Sequence, residues 1–379
     1  MSKKTVIIIA SSFIGVLVLL LLVLWIMTLI NKRQYTYEEV ENKMYDATVK
    51  YYKENPQDLP SNEGKSILSY NTLVEKEYIE PLKDLLKDGE SCSAEVDVYK
   101  DELNYTYIPK LSCSDKYTTI ELAEHIKKTT EVVTSGSGLY SDNNGGYYYK
   151  GKISNNYITV GSFINSSKKR IGILWQIISI ENDNRIKVRA LYPANRSLFD
   201  NRYNVTRKSN SGYNDFEMSL LKENLIKIEN GENFLTNDQK SVFVKSNLCL
   251  GGRNGKDTSK DGSTECSKLS NDKYLFGLMN PYEYMRASLD ENCNNMFSLA
   301  CQNFNFLSGD GFGYVWTTTP NTDNDYQVYS FDGYSFYSSS TDRERKLYLT
   351  AYISPYVTFK GGEGTETNPY RILKEVKTK

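Results

Sequence analysis

The sequence predicts an α+β protein: an N-terminal transmembrane helix, a small α+β domain and a larger β-rich domain. Three observations carry that expectation. Residues 5–30 (TVIIIASSFIGVLVLLLLVLWIMTLI) contain no charged side chain. Residues 35–53 place Val40, Met44, Ala47, Val49 and Tyr51 at helical spacing. Beyond residue 147 the chain breaks into short alternating runs separated by Ser, Asn and Gly.

Composition narrows the function. The chain has 379 residues, long enough for two or three domains that each bury a core. Its 46 Lys and Arg nearly balance 47 Asp and Glu, which excludes polyanion binding driven by bulk electrostatics, and nucleic acid is not an expected partner. One histidine in the whole chain argues against multi-His zinc sites and most His-based catalysis. Mean hydropathy of −0.53 describes a polar protein with one apolar run.

Taken in order, residues 1–34 form a cytoplasmic tip and the membrane span, whose lipid-bilayer contact is residues 5–30. As a helix that run would extend about 39 Å, enough to cross a hydrocarbon core of about 30 Å. A cleaved signal peptide fits less well, because the run is long and no A-x-A site follows it. Trp25 lies where an interfacial anchor would sit. The helix is expected to continue outward through residues 35–53 as one rod, until Asn55-Pro56 and Pro60 stop it. A short helix follows Asn71, and SAEVDVYK and NYTYIPKLSC alternate as strands, which closes a domain at 35–118. Residues 119–146 read as a helix and a Ser/Gly/Asn-rich linker, 147–373 as the β-rich domain with helices near 214–227 and 280–288, and 374–379 as a tail.

All six cysteines, Cys92, Cys113, Cys249, Cys266, Cys293 and Cys301, lie beyond the apolar run, and none shows C-x-x-C spacing. Structural disulfides in an oxidising space suit that pattern. Sequence leaves the connectivity open, and nearest-neighbour pairing is the expectation. The bulk of the chain is thereby placed outside a single-pass cell-membrane protein whose N-terminus is cytoplasmic.

Two resemblances become visible along this order. The long apolar helix, the amphipathic helix, the proline break, SYNTLVEKEYIEPLKD and the cysteine-bearing strands resemble the layout of pilins and pseudopilins. The chain departs from it in beginning MSKKTVIIIA, without a Gly cleavage site or an early Glu. The segments YYYKGKISNNYITV, ILWQIISIENDNRIKVRAL (Trp175), FGLMNPYEYMRAS, YVWTTTPN (Trp316), LYLTAYISPYVTF and GGEGTETNPYRI resemble an uncharacterised domain of bacterial surface proteins. That domain belongs to the C-type-lectin-like or formylglycine-generating-enzyme-like group. The resemblance implies a C-type-lectin-like fold, and fold alone does not carry function.

The chemistry-bearing residues point to binding more than to catalysis. Asp310, Asp323 and Asp325 sit in polar Gly-rich turns, where solvated carboxylates are expected and no metal site is assigned. The cysteine pairs lack basic neighbours that would lower a thiol pKa, so a formylglycine-generating-type enzyme is the less favoured reading. His125 is expected on a solvated helix face, and Asp342 to Arg345 as a charge-paired turn. The 31 tyrosines suggest a recognition surface, as in paratope loops. Tyr147–Tyr149 and Tyr329, Tyr334 and Tyr337 are its candidates, with Asp323 and Asp325 beside them. The expected function is a non-enzymatic binding or adhesion module on a pilin-like stalk, with a glycan or protein ligand at the distal domain and no cofactor. A pseudopilin-like assembly component is the alternative.

Overall fold

The computed structural model describes residues 34–101, 104–164, 168, 170–309 and 311–372. Contacts divide the chain between Thr119 and Ile120 into two units, each with its own apolar core.

In the first unit α1 (Tyr37–Glu54) begins at a capping box. The Thr36 hydroxyl accepts from Glu39 N–H at 3.2 Å, and Thr36 N–H donates to the Glu39 carboxylate at 2.9 Å. Val40, Met44, Ala47, Tyr51 and Tyr52 bury one face of the helix. Its C-terminal residue is followed by Asn55, and Pro56 opens a short 3-10 turn. Then come β1 (Gly64–Ser69), α2 (Tyr70–Glu75), α3 (Leu82–Leu85), β2 (Cys92–Asp101), β3 (Asn104–Cys113) and β4 (Tyr117–Thr118). The strands form one antiparallel sheet in the order β1-β2-β3-β4. Val96, Val98 and Leu111 from that sheet share a core with Val40, Met44 and Leu73. Cys92 and Cys113 stand directly opposite in the register and are bonded.

The expectation of a transmembrane helix in the fold is corrected here. Among the described residues no helix is long and apolar enough to cross a membrane. The longest, α1, carries eight charged side chains in its 18 residues. Residues 5–30 lie outside the described residues. Nor does α1 continue a rod from them: Thr36 is extended (φ −75°, ψ 161°) and its N–H is held by Glu39, so the helix starts there. The described chain is two α+β units without a membrane-spanning helix.

The second unit starts with α4 (Leu122–Thr129), whose Leu122, Ala123 and Ile126 enter its core. Strands β5 (Gly138–Ser141), β6 (Tyr147–Lys150), β7 (Tyr157–Ile164), β8 (Arg170–Ile180) and β9 (Ile186–Ala190) follow, then β10 (Asn195–Ser197). Next are α5 (Leu220–Asn230), α6 (Asn237–Lys240), β11 (Phe243–Val244), β12 (Phe276–Leu278) and α7 (Pro281–Ala287). The last strands are β13 (Val315–Pro320), β14 (Gln327–Phe331), β15 (Phe336–Ser340), β16 (Arg345–Leu347), β17 (Leu349–Ile353), β18 (Phe359–Gly361) and β19 (Arg371–Ile372).

An eight-stranded sheet has the path β11-β17-β9-β8-β6-β5, with β12 also on β17 and β7 also on β8. A five-stranded sheet runs β10-β16-β13-β14-β15, and β18 pairs β19. Trp175 on β8 and Trp316 on β13 are buried, and each indole N–H donates to a backbone carbonyl, of Val160 at 3.1 Å and of Ser197 at 2.9 Å. Cys249–Cys266 and Cys293–Cys301 complete the nearest-neighbour pairing, and no cysteine is free.

Of the stretch 119–146 expected as a helix and a linker, the helix is α4, while residues 138–146 of the expected linker form β5 and its turn to β6 within this second unit, which starts at Ile120. Strand β5 pairs β6 from Gly138↔Lys150 to Ser141↔Tyr147, so DNNGG is a hairpin turn. Asp142 Oδ1 accepts from the N–H groups of Asn144 and Gly146, and Asn143 takes the left-handed conformation such a turn requires (φ 64°). His125 also departs from the expected solvated face. Its ring stacks on Phe359 at 3.5 Å, and burial, helped by Lys128, lowers its pKa.

Candidate functional site

Of the five residues expected to form a binding surface, Tyr329 is buried and the other four fall in two groups toward opposite ends of β14. Tyr329 lies on the middle strand β14, is 1% exposed and donates its hydroxyl to the Arg253 carbonyl at 3.1 Å. Burial, with Asp323 adding to it, pushes that hydroxyl up to about 12. It supports a loop from inside, so the binding role is corrected. Asp323 and Asp325 occupy the turn before β14, while Tyr334 lies in the turn after it and Tyr337 on β15. The turns are at opposite ends of a five-residue strand, roughly 16 Å apart at about 3.3 Å per residue. Asp325 accepts from Asn214 N–H and Thr206 Oγ1. Tyr334 is held by its N–H to Asp332, and Tyr337, 41% exposed, donates to Asp332 Oδ2. Asp310 lies outside the described residues. Among the described residues no group of three or more His, Cys, Asp or Glu side chains could hold a metal ion.

A different place gathers polar chemistry. An open cleft of about 550 Å³ in the second unit lies between the β5–β6 hairpin, a loop at 258–261 and the end of α7. Each wall is built for a local reason. The hairpin turn presents Asp142 and Asn144, and β6 presents Tyr148 and Lys150. Helix α7 starts at an Asn280–Glu283 capping box with Pro281 in its first turn, and its last turn delivers Arg286.

The loop is fixed from beneath. Cys249–Cys266 closes it, and the buried Arg253 pairs with Glu265 through Nε to Oε1 (3.0 Å) and Nη2 to Oε2 (3.1 Å). Arg253 also donates to the carbonyls of Asp257 and Ser259. Burial raises the Glu265 pKa, opposed by the Arg253 guanidinium. Gly262 (φ 86°) sits against the Tyr282 ring, in a conformation that side-chain-bearing residues rarely adopt.

Three cations face the cleft: Lys150, Lys260 and Arg286. Among the described residues none of them has a carboxylate within ion-pair distance. Arg286 instead lies over the Tyr148 ring at 4.4 Å, and Lys150 over the Tyr140 ring at 5.4 Å, with the two rings stacked at 5.8 Å. Burial and then the Lys150 ammonium lower the Lys260 pKa, against the pull of Asp290. The cleft's two carboxylates are engaged in their own turns. Asp261 accepts from the Ser263 hydroxyl and N–H and from the Ser259 hydroxyl, which hold it at about 2.

Of these residues only Tyr148 was within reach of sequence reasoning, as one of three consecutive tyrosines. The cations come from three distant segments, and no periodicity links them. The hairpin itself had a signal, an Asn-Asn-Gly-Gly turn between YS and YYYK.

Beneath the sheets is a second charged group. Lys187 Nζ lies 2.6 Å from Glu283 Oε1, both buried. Burial works to lower the Lys187 pKa, and attraction to Glu283 outweighs it. Arg189 is fully buried, donates to Gln176 Oε1 at 2.7 Å and the Leu307 carbonyl at 3.1 Å, and is pushed down to about 10 by burial.

Comparisons of the chain with protein-family models, curated proteins and solved structures find no match. The two resemblances therefore rest on the segments that carry them.

Proposed function

We propose that this chain is a non-enzymatic recognition protein of an oxidising, extracellular space, and that its second unit binds ligand in the cleft between the β5–β6 hairpin and α7. The observation that carries this reading is the cleft itself. It is open and polar, and its walls are pinned by a disulfide, a buried ion pair and a capped helix, so the backbone that carries its side chains is fixed before a ligand arrives.

Catalysis has less to support it. All six cysteines are bonded, which leaves no thiol nucleophile, and His125 is packed against Phe359, away from the cleft lining. Three disulfides suit an oxidising compartment.

The test is an array of glycans and peptides probed with the full chain and with Thr258→Trp, whose indole fills the cleft from an exposed loop position. Ligands bound by the parent and lost by Thr258→Trp are the expected result. Ligands retained in full by that variant would place recognition elsewhere.

A further inference from the structure

We infer that the ligand of this cleft is an acidic saccharide, one whose carboxylate or sulfate groups are taken by Lys150, Lys260 and Arg286. The inference rests on the cleft being the binding site and adds the chemistry of what enters it.

The first support is charge left unanswered. Lys150, Lys260 and Arg286 converge on one concave surface from three segments of the chain. None has a carboxylate within ion-pair distance, although Asp142 and Asp261 line the same cleft. One oxygen of each carboxylate, Oδ1, accepts from the hydroxyl and N–H donors of its own turn. Bringing three cations together without partners is unfavourable, and the Lys260 pKa is lowered by burial first and by the Lys150 ammonium second. An anion in the cleft would relieve the repulsion. Near-zero net charge does not oppose this, because the attraction is local to one concavity and not a field of the whole molecule.

The second support is what the walls lack. Among the described residues no aliphatic, Phe or Trp side chain lines the cleft, whereas Ser141, Asn143, Asn144, Thr258, Ser259 and Ser288 do. An acidic peptide brings carboxylates and backbone amides but few hydroxyl groups. A saccharide brings hydroxyls, which match amide and hydroxyl groups. Tyrosine enters as a support, since Arg286 lies over Tyr148 and Lys150 over Tyr140, and the paired rings hold the two cations in place.

Calorimetric titration of the full chain with polygalacturonate, neutral dextran and poly-L-glutamate tests the inference. Binding of polygalacturonate is expected to weaken about tenfold or more in Lys150→Ala, in Lys260→Ala and in Arg286→Gln. It should be partly restored in Arg286→Lys, fall with added salt and vanish in Thr258→Trp. Lys260 makes no hydrogen bond or ion pair among the described residues, so its removal leaves folding intact, and thermal midpoints verify this for each variant. Poly-L-glutamate binding as tightly as polygalacturonate would overturn the saccharide class. Dextran binding that Thr258→Trp abolishes and the charge variants leave unchanged would overturn the anion and keep the cleft as the site. Binding of none of the three polymers would overturn both.

Discussion

Glu283 is the buried carboxylate that answers the buried Lys187. Lys187 is 2.6 Å from it, and the Arg189 guanidinium feels its charge while making no ion pair of its own among the described residues. Its other oxygen caps α7 by accepting from Asn280 N–H at 2.8 Å. Glu283→Gln therefore leaves the buried Lys187 charge uncompensated, and the expected loss is about 3–5 kcal/mol in urea unfolding, since breaking a buried pair costs that much. A loss below about 1 kcal/mol would mean that Lys187 is answered elsewhere. Asp261 gives a pH signature at the surface. Its carboxyl is held at about 2, below the usual value of about 3.9, by donors that favour the charged form. A depressed pKa contributes stability that is present above about pH 4 and lost as pH falls towards 2. The difference in thermal midpoint between the parent and Asp261→Asn should be largest at neutral pH and disappear across that window. A pH-independent difference would contradict the assigned hydrogen bonds.

At the scale of elements, the first unit depends on where α1 begins. Thr36 satisfies an otherwise orphaned N–H of the first turn, and Thr36→Ala is expected to cost about 1 kcal/mol in chemical denaturation. Much of this level was legible in the sequence because the signals are local. The helical spacing of Val40, Met44, Ala47 and Tyr51 and the alternation in SAEVDVYK and NYTYIPKLSC each name an element from a handful of neighbours. The same locality explains the failures. A Thr cap was overlooked inside a pattern that kept its helical period across it, so a rod was expected where a helix starts. Asn143-Asn144-Gly145-Gly146 reads as linker because its composition is shared by turns and linkers, and only pairing of β5 with β6 separates the two. Tyr329 was expected at a surface because sequence does not tell a middle strand from an edge. The cleft was invisible for a stronger reason: Lys150, Lys260 and Arg286 meet only after two sheets and a disulfide have formed.

For the molecule as a whole, the three disulfides act on the unfolded chain, and the bridges closing the 92–113 and 249–266 loops are each worth about 3 kcal/mol in the chain-entropy account. Reduction should lower the thermal midpoint, and Cys249→Ser with Cys266→Ser should do so while also freeing the loop that carries Lys260. Retained ligand binding in that double variant would show that the loop is held by Arg253 and Glu265 alone. The central claim is that a preformed cleft in the second unit receives the ligand. Hydrogen exchange of the full chain, with and without saturating polygalacturonate, addresses it most directly. Added protection confined to residues 141–150, 257–263 and 285–289 is the predicted result, and protection that falls elsewhere, or none at all, would contradict it.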